Sequence, residues 1–374
     1  MKGDYAQGKG TFLKKRKLGK SGIEVSTLGL GYLEIGGRWT QLGVDIHFGK
    51  VSDAESIRAI QWALDQEINF FDTAANYGAG PSEQLLGKAI AGRRDELVLA
   101  TKTSWRDKAS ALRLLEQSLQ QFNTDYIDLW QFHNVSTFEA YNQLLSTGGA
   151  MEIAQEALKA GKIQHIGIST HSPDVARKAI TFGHFETVMF PFNFVTQEPA
   201  DDLVPLAREY DVGFLAMKPF AGGMLQDANL AIKYLLQFDN VVPVPGIEKN
   251  EEIEEIVEIV KGEWELTLQE NQQIANLSAE LDTLLCRRCG NCMPCPQGVR
   301  IQQLVNLPAL LKLWSLDRLV NLKWVTDAVD GAKYCVECAG ECEQKCPYHL
   351  PIRDMIADNL MLFERMVQSE PGLE

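Results

Sequence analysis

The chain has 374 residues, more than a single hydrophobic core usually supports, so a large domain followed by a smaller one is expected. Its formal net charge of -14 disfavours nucleic acid and anionic membrane surfaces as partners, because an acidic surface repels both. No uncharged apolar run is long enough for a membrane span, and the polar start lacks the apolar core of a secretory signal, so a cytoplasmic location is expected. Residues 1–12 are expected to form a flexible tail.

Short apolar runs alternate with amphipathic stretches between residues 13 and 263. A hairpin comes first, with Leu13–Leu18 and Glu24–Ser26 joined by a Gly-containing turn. Eight runs follow that are mostly continuous rather than alternating, which is typical of parallel strands buried on both faces. The predicted strands are Thr27–Tyr32, Ile68–Thr73, Leu97–Thr103, Tyr126–His133, Ile163–Thr170, Thr187–Asn193, Gly213–Phe220 and Val241–Ile247.

The segments between these strands carry helix signals. Ser52 followed by Glu55 predicts a capping box, and Pro81 suits a first helical turn. Further helices are predicted at Asp107–Phe122, Met151–Ala160, Pro173–Phe182, Asp201–Tyr210, Ala228–Phe238 and Asn250–Val260. Eight strand–helix units of this total length predict a (β/α)8 TIM barrel over residues 13–263. A doubly wound sheet is less favoured, because no G-x-G-x-x-G follows an early strand.

The remainder of the chain predicts a separate unit. A connecting helix is expected at residues 264–285, and all 8 cysteines lie between Cys286 and Cys346, within a domain spanning residues 286–374. The apolar segment Ile301–Val329 is interrupted by charges and predicts two helices that pack this domain on the barrel. The alternative for this segment is a partner-binding or membrane-surface patch.

Four polar residues stand at the predicted C-terminal ends of three successive strands or just beyond them. They are Asp72, Tyr77, Lys102 and His133. Side chains at this end of a barrel meet at one mouth. A tyrosine can protonate the alkoxide formed when a carbonyl accepts a hydride, and a neighbouring lysine lowers its pKa. An aspartate fixes the lysine, and a histidine orients the carbonyl or shares the proton.

The stretch Phe71–Gly78, continuing through Ser82 and Glu83 to Gly87, resembles the first signature of the aldo/keto reductases. Lys102 and His133 match that family's lysine and histidine. The resemblance covers about residues 13–260 and implies a (β/α)8 fold, a nicotinamide cofactor, and Asp72, Tyr77, Lys102 and His133 as the catalytic set. It also implies these cofactor contacts: Ser169, Thr170, Asn193, Met217, Lys218, Pro219, Phe220, Gly222, Gly246, Lys249 and Glu252.

The cofactor site departs from the family pattern. Thr170 replaces a frequent asparagine, Met189 a common glutamine, and Met217 the ring-stacking aromatic. Gly246 and Glu252 stand where NADPH-preferring relatives place a lysine and an arginine. A carboxylate repels a 2′-phosphate but accepts hydrogen bonds from the hydroxyls of an unphosphorylated ribose. NADH is therefore favoured over NADPH as the cofactor. The alternative is that this acidic stretch is only a solvated helix face.

Two cysteine runs resemble the ferredoxin signature, in which three close thiolates hold one cubane and the fourth, before a proline, holds the other. The first run ends at Pro296 and the second at Pro347. The resemblance implies two [4Fe–4S] clusters in a mainly α-helical ferredoxin-like domain. Two zinc ions and disulfides are the weaker alternatives. The implied ligands are Cys286, Cys289, Cys292, Cys295, Cys335, Cys338, Cys342 and Cys346.

These features together predict an NAD(P)H-dependent oxidoreductase acting on an aldehyde, ketone or sugar. One alternative is an electron-transfer module whose clusters pass electrons between a redox partner protein and the barrel. Another is an interaction protein with a decayed active site. Candidate pocket walls are Trp39, His47, Trp105 and Phe220, and residues 134–149 are expected to form a loop over the mouth.

Overall fold

A computed structural model describes residues 13–32, 37–41, 44–48, 52–77, 81–247, 249–313, 316–335 and 338–369. The expected tail at residues 1–12, Gly78 and Glu248 lie outside these ranges. The side chains of Trp39 and His47 are also outside the described part, so their assignment to the pocket wall stays a prediction.

Twelve strands are described, and eight of them form one parallel sheet in sequence order. In chain order they are β1 Lys15–Lys17, β2 Glu24–Ser26, β3 Gly29–Gly31, β4 Gly37–Gln41, β5 Val44–Phe48, β6 Phe70–Asp72, β7 Val98–Thr103, β8 Ile127–Phe132, β9 Ile163–Ser169, β10 Thr187–Pro191, β11 Gly213–Met217 and β12 Val241–Val244. The eight predicted barrel strands are confirmed as β3 and β6–β12, each with slightly narrower bounds.

The described helices fill the connections and the C-terminal region. They are α1 Asp53–Asp65, α2 Pro81–Ala89, α3 Lys108–Phe122, α4 Phe138–Leu145, α5 Ala150–Lys159, α6 Pro173–Thr181, α7 Glu198–Asp201, α8 Leu203–Glu209, α9 Ala228–Leu236, α10 Asn250–Lys261, α11 Leu268–Leu281, α12 Ile301–Val305, α13 Leu307–Leu313, α14 Leu316–Asn321, α15 Lys323–Ala332, α16 Glu341–Gln344 and α17 Ile352–Ser369.

The sheet closes into a barrel where its first and last strands meet. Gly31 bridges Gly246 in parallel, and the Gly31 N–H donates to Pro245 O at 2.7 Å. The predicted hairpin is confirmed as the antiparallel pair β1–β2. Leu18 and Val25 from this hairpin pack with strand side chains such as Phe70 inside the barrel. Because all eight barrel strands are parallel, their carboxyl ends share one mouth.

Two helix predictions were wrong. Residues 134–149 are not only a loop, because α4 lies within them; Thr137 Oγ1 accepts from Ala140 N at 3.1 Å, and Tyr141 and Leu144 face the core. Residues 301–329 form four helices rather than two, since Asn306 and Leu322 interrupt the periodic pattern. The predicted capping box at α1 is confirmed: Ser52 N donates to Glu55 Oε2 at 2.8 Å.

The C-terminal region has its own apolar core, in which cysteine side chains take part. Ile301, Leu304, Leu350 and Ile356 are buried together, and several cysteines pack against them. Within the described ranges, no helix combines the length and apolarity that a bilayer span requires.

Candidate active site and cysteine centre

Asp72 and Lys102 form a buried ion pair at the barrel mouth. Asp72 ends β6 and Lys102 lies in β7, one strand along the barrel wall, so their side chains meet inside it. Lys102 Nζ also donates to Thr73 O at 2.7 Å. Burial alone would lower the pKa of Lys102, but the Asp72 carboxylate beside it raises that pKa above its ordinary value. Lys102 therefore remains a cation in the interior.

Tyr77 and His133 lie against this ion pair. The Tyr77 ring centroid is 4.9 Å from Lys102 Nζ and 5.6 Å from the His133 ring, which it meets edge-on. Burial raises the pKa of Tyr77, and the charge on Lys102 opposes that increase. Burial and the charges of Lys102 and Arg106 lower the pKa of His133 to about 3, so the imidazole is neutral. The structure thus brings the four candidate catalytic residues together.

Three supporting residues at this site were not singled out from the sequence. Gln131 Nε2 donates to Asp72 Oδ1 at 2.8 Å, and Arg106 Nη2 donates to His133 O at 2.6 Å. Glu83 is buried and accepts from Thr101 Oγ1 at 2.6 Å. The signal for Gln131 was a polar residue at a fully buried position of β8, whereas nothing in the local sequence indicates the role of Arg106.

The residues expected to meet the nicotinamide follow the next strands. Ser169 Oγ accepts from Asn134 N at 2.9 Å, and Met217 lies at the end of β11. Asn193 is engaged in holding the backbone: its Oδ1 accepts from Thr196 N at 2.8 Å and its Nδ2 donates to Lys218 O at 3.0 Å. The side chain of Asn193 therefore fixes the backbone at Thr196 and Lys218 and is not free to bind a ligand.

Lys218 begins a loop with unusual backbone geometry. It has a φ of 58°, and Ala221 and Gly222 have φ of 49° and 70°. A Cβ added at Gly222 would meet nothing within 4 Å, so this backbone is open to close approach. Lys218 Nζ lies 2.9 Å from His171 Nε2. Burial, then the charge of Arg288, lower the pKa of Lys218 to about 7.

The remaining predicted cofactor residues lie beyond β12 or in the same loop. Gly246 takes part in barrel closure, Lys249 precedes α10, and Glu252 Oε2 accepts from Lys249 N at 3.1 Å. Pro219 and Phe220 continue the loop after Lys218, and Phe220 packs partly against the core.

Four cysteines from both runs line one small apolar cavity. They are Cys286, Cys289 and Cys292 from the first run and Cys346 from the end of the second, with Ile301 and Leu350 among the walls. Cys335 lies within electrostatic range of Cys295, Cys338 and Cys342, which form the other group. All eight are free thiols. Within the described ranges, no three His, Cys, Asp or Glu side chains converge as ligands of a single ion.

Two arginines in the first cysteine run contact the barrel side. Arg287 is 5% exposed and donates to Val195 O at 3.0 Å. Arg288 lines one cavity with Lys218 and another with His171. The first cysteine run therefore lies against the mouth of the barrel.

Residues 27–231 match the model of the aldo/keto reductase family. The chain is 33% identical over 217 residues to the aldo-keto reductase YhdN of Bacillus subtilis (strain 168), covering 55% of this chain and 61% of that relative. This chain thus spans less than two thirds of that relative's length.

Solved structures give the same barrel. The aldo-keto reductase AKR11C1 from Bacillus halodurans (holo form) superposes with a TM-score of 0.60 at 26% identity, covering 71% of this chain and 96% of that one. An aldo/keto reductase from Klebsiella pneumoniae in complex with NADP and acetate gives a TM-score of 0.58 at 22% identity, with the same coverage of 71% and 96%.

Proposed function

Because the chain belongs to the aldo/keto reductase family of NAD(P)H-dependent oxidoreductases, we propose that it transfers a hydride between a nicotinamide cofactor and a small carbonyl or alcohol substrate. Aldehydes, ketones and sugars are the substrate classes. The observation that carries this proposal is the contact of Tyr77 with both the Lys102 ammonium and the neutral His133 ring. Tyr77 is a proton donor, the charge of Lys102 lowers the pKa of that donor, and His133 is a neutral hydrogen-bonding group beside it.

A bound nicotinamide would supply the hydride to the carbonyl carbon. The electron pair of the C=O bond moves to the oxygen, and Tyr77 gives that oxygen its phenolic proton. Lys102 stabilises the phenolate that remains, since its positive charge is held in place by Asp72. His133, neutral at ordinary pH, donates to the carbonyl oxygen and sets its orientation toward Tyr77.

The dinucleotide would follow the carboxyl ends of β9–β12. Ser169 and Thr170 would meet the carboxamide, Met217 would pack on the ring, and Lys218 to Gly222 would follow the diphosphate. Gly246, Lys249 and Glu252 would meet the adenosine end, with Glu252 favouring NADH. Asn193 would act indirectly, by fixing the backbone of Lys218.

We further propose that the cysteines hold two [4Fe–4S] clusters. Cys286, Cys289, Cys292 and Cys346 would hold one, and Cys295, Cys335, Cys338 and Cys342 the other. The cavity lined by the first group supports this division, since four thiols from two distant runs surround one apolar space. In ferredoxins with two clusters, the last cysteine of each run, which precedes a proline, ligates the cluster held by the other run.

The alternative function, electron transfer through the barrel, has one observation in its favour. Cys286 lines the same cavity as Lys218 and Gly222, residues proposed to meet the cofactor. The first cluster would then lie beside the nicotinamide site. Because a nicotinamide gives two electrons and a cluster accepts one at a time, this route needs an intermediary such as a bound flavin.

One anaerobic experiment separates the two functions. NADH is added to the iron-replete full chain with and without a panel of aldehydes, ketones and sugars, while nicotinamide fluorescence and iron–sulfur absorption are followed together. Carbonyl-dependent loss of NADH with unbleached clusters supports hydride transfer within the barrel. Bleaching without a carbonyl supports electron transfer. If neither NADH nor, in a parallel sample, NADPH is bound or consumed, both proposals fail.

A further inference from the structure

Arg288 carries a positive charge into the junction between the barrel and the first cysteine run. It lies between Cys286 and Cys289 with a left-handed φ of 58°. It lines a cleft of about 360 Å³ shared with Lys218, Gly222 and Asn306. It also borders the neighbouring cavity that contains His171 and Asn134. Burial lowers the pKa of Arg288, and the charge of Cys286 opposes that decrease.

Arg288 and Lys218 therefore place two cations beside one cleft. Lys218 has only the His171 ring nitrogen, at 2.9 Å, as a side-chain partner within the described ranges. The charge of Arg288 lowers the pKa of both Lys218 and His171, which places the three groups within electrostatic range. Asp358 lines the same cleft but forms no ion pair with either cation. The Cys286 thiolate offsets part of the repulsion between these two basic groups, and an anion bound beside them would offset more of it.

The surroundings of this pair suit a diphosphate. Lys218 opens the loop in which Ala221, Gly222 and Gly223 all have positive φ, and open space lies over the Gly222 backbone. Such a loop lets phosphate oxygens approach main-chain N–H groups closely. Two cations match the two charges of a diphosphate, and arginine binds such oxygens through paired N–H donors.

We propose that Arg288, from the cysteine-rich domain, joins Lys218 of the barrel in binding the diphosphate of the nicotinamide dinucleotide. The site is completed only when both domains are in contact. This inference rests on the proposed dinucleotide-dependent function.

The test is calorimetric titration of the iron-replete full chain with NADH and, separately, with inorganic pyrophosphate. The proteins are the wild type, Arg288→Gln, Arg288→Lys and the control Arg300→Gln, whose side chain is exposed in the same domain. Iron content and circular dichroism are measured for each, so that loss of the cluster or the fold is recognised. Loss of one charge-assisted contact weakens binding by about 10- to 100-fold.

The expected result is that Arg288→Gln weakens NADH and pyrophosphate together, Arg288→Lys recovers part of the affinity, and Arg300→Gln changes neither. Equal NADH affinity in wild type and Arg288→Gln overturns this inference while leaving the proposed function intact. If pyrophosphate binds through Arg288 but NADH does not bind at all, the anion belongs to another ligand, and both the dinucleotide assignment and the proposed function fail. The inference about Arg288 is also overturned if the wild type binds neither pyrophosphate nor NADH.

Discussion

The Arg287 guanidinium donates to Val195 O at 3.0 Å and lies 4.3 Å from the centre of the Tyr348 ring. Val195 belongs to the loop after β10, whereas Tyr348 follows the last cysteine of the second run. One buried side chain therefore connects the barrel with both cysteine runs. It also donates to Asp282 O and Leu285 O, at 2.6 and 3.0 Å.

Replacing Arg287 is expected to loosen this junction. Arg287→Met keeps an apolar stem but leaves several buried carbonyl groups without a donor, at a cost of about 3 kcal/mol. Limited proteolysis should then cut between residues 264 and 285 faster than in the wild type, with the barrel fragment surviving. The control Arg365→Met changes an exposed arginine of α17 and should leave the cutting rate unchanged. Equal rates for Arg287→Met and wild type would contradict the connecting role.

Loss of the Tyr77 hydroxyl should remove the proton donor. Tyr77→Phe is expected to lower carbonyl reduction by at least ~10²-fold, the usual effect of losing a general acid. Circular dichroism and iron content should match the wild type, because the ring that contacts His133 is retained. Tyr210→Phe, at a 42% exposed position, serves as the matched control. Unchanged turnover in Tyr77→Phe would refute the role.

Glu83 should make stability depend on pH. Burial raises the pKa of Glu83 to about 7 from its ordinary 4.5, so the native state holds this proton more tightly than the unfolded state. The resulting stabilisation is fully present below pH 4.5 and is lost as pH rises through about 7. The difference corresponds to about 3 kcal/mol.

Urea unfolding of the full chain should reveal this dependence. Glu83→Gln keeps a similar shape without an ionisable group, so its unfolding midpoint should fall less than that of the wild type between about pH 5 and pH 8. Glu280→Gln, at an exposed position of α11, should follow the wild-type curve. Parallel curves for Glu83→Gln and wild type would show that Glu83 does not ionise in this range.

The grouping of cysteines can be tested by iron content. Cys346→Ser and Cys286→Ser should each remove about half of the bound iron, and so should the double variant, because both residues are proposed to ligate the same cluster. Combining Cys346→Ser with Cys335→Ser should remove nearly all of it. If instead Cys346→Ser and Cys335→Ser together remove no more than either alone, the two residues share a cluster and the proposed division is wrong.

Glu252 should favour NADH over NADPH. Its carboxylate accepts from Lys249 N at 3.1 Å at the start of α10, where a 2′-phosphate would meet repulsion. Because the group is exposed, Glu252→Gln should improve NADPH affinity relative to NADH by only about 2- to 5-fold. Fluorescence titration measures both affinities, with Glu255→Gln as control. Tighter binding of NADPH than NADH by the wild type would reverse the preference.

Much of the barrel could be predicted because its residues follow simple physical rules. Strands such as β12 are buried on both faces and therefore appear in the sequence as continuous apolar runs. Ser52 and Glu55 begin α1 through hydrogen bonds between near neighbours. Helix α4 was missed because its buried face is only two residues wide, Tyr141 and Leu144. The sequence predicted fewer helices between the cysteine runs than the structure contains. Leu322 separates two of them because its backbone is extended, and leucine as a residue type gives no sign of such a break.

The sequence by itself determined the barrel, the meeting of Asp72, Tyr77, Lys102 and His133, and the separate cysteine-rich unit. It could do so because successive parallel strands deliver their carboxyl ends to one mouth, whatever the details of packing. Only the tertiary structure decided that Asn193 fixes a loop, that Glu83 is buried beside Thr101, and that Arg288 and Lys218 line one cleft. Those relationships join residues far apart in the chain through the packing of whole elements, and no local pattern of residue types encodes such contacts.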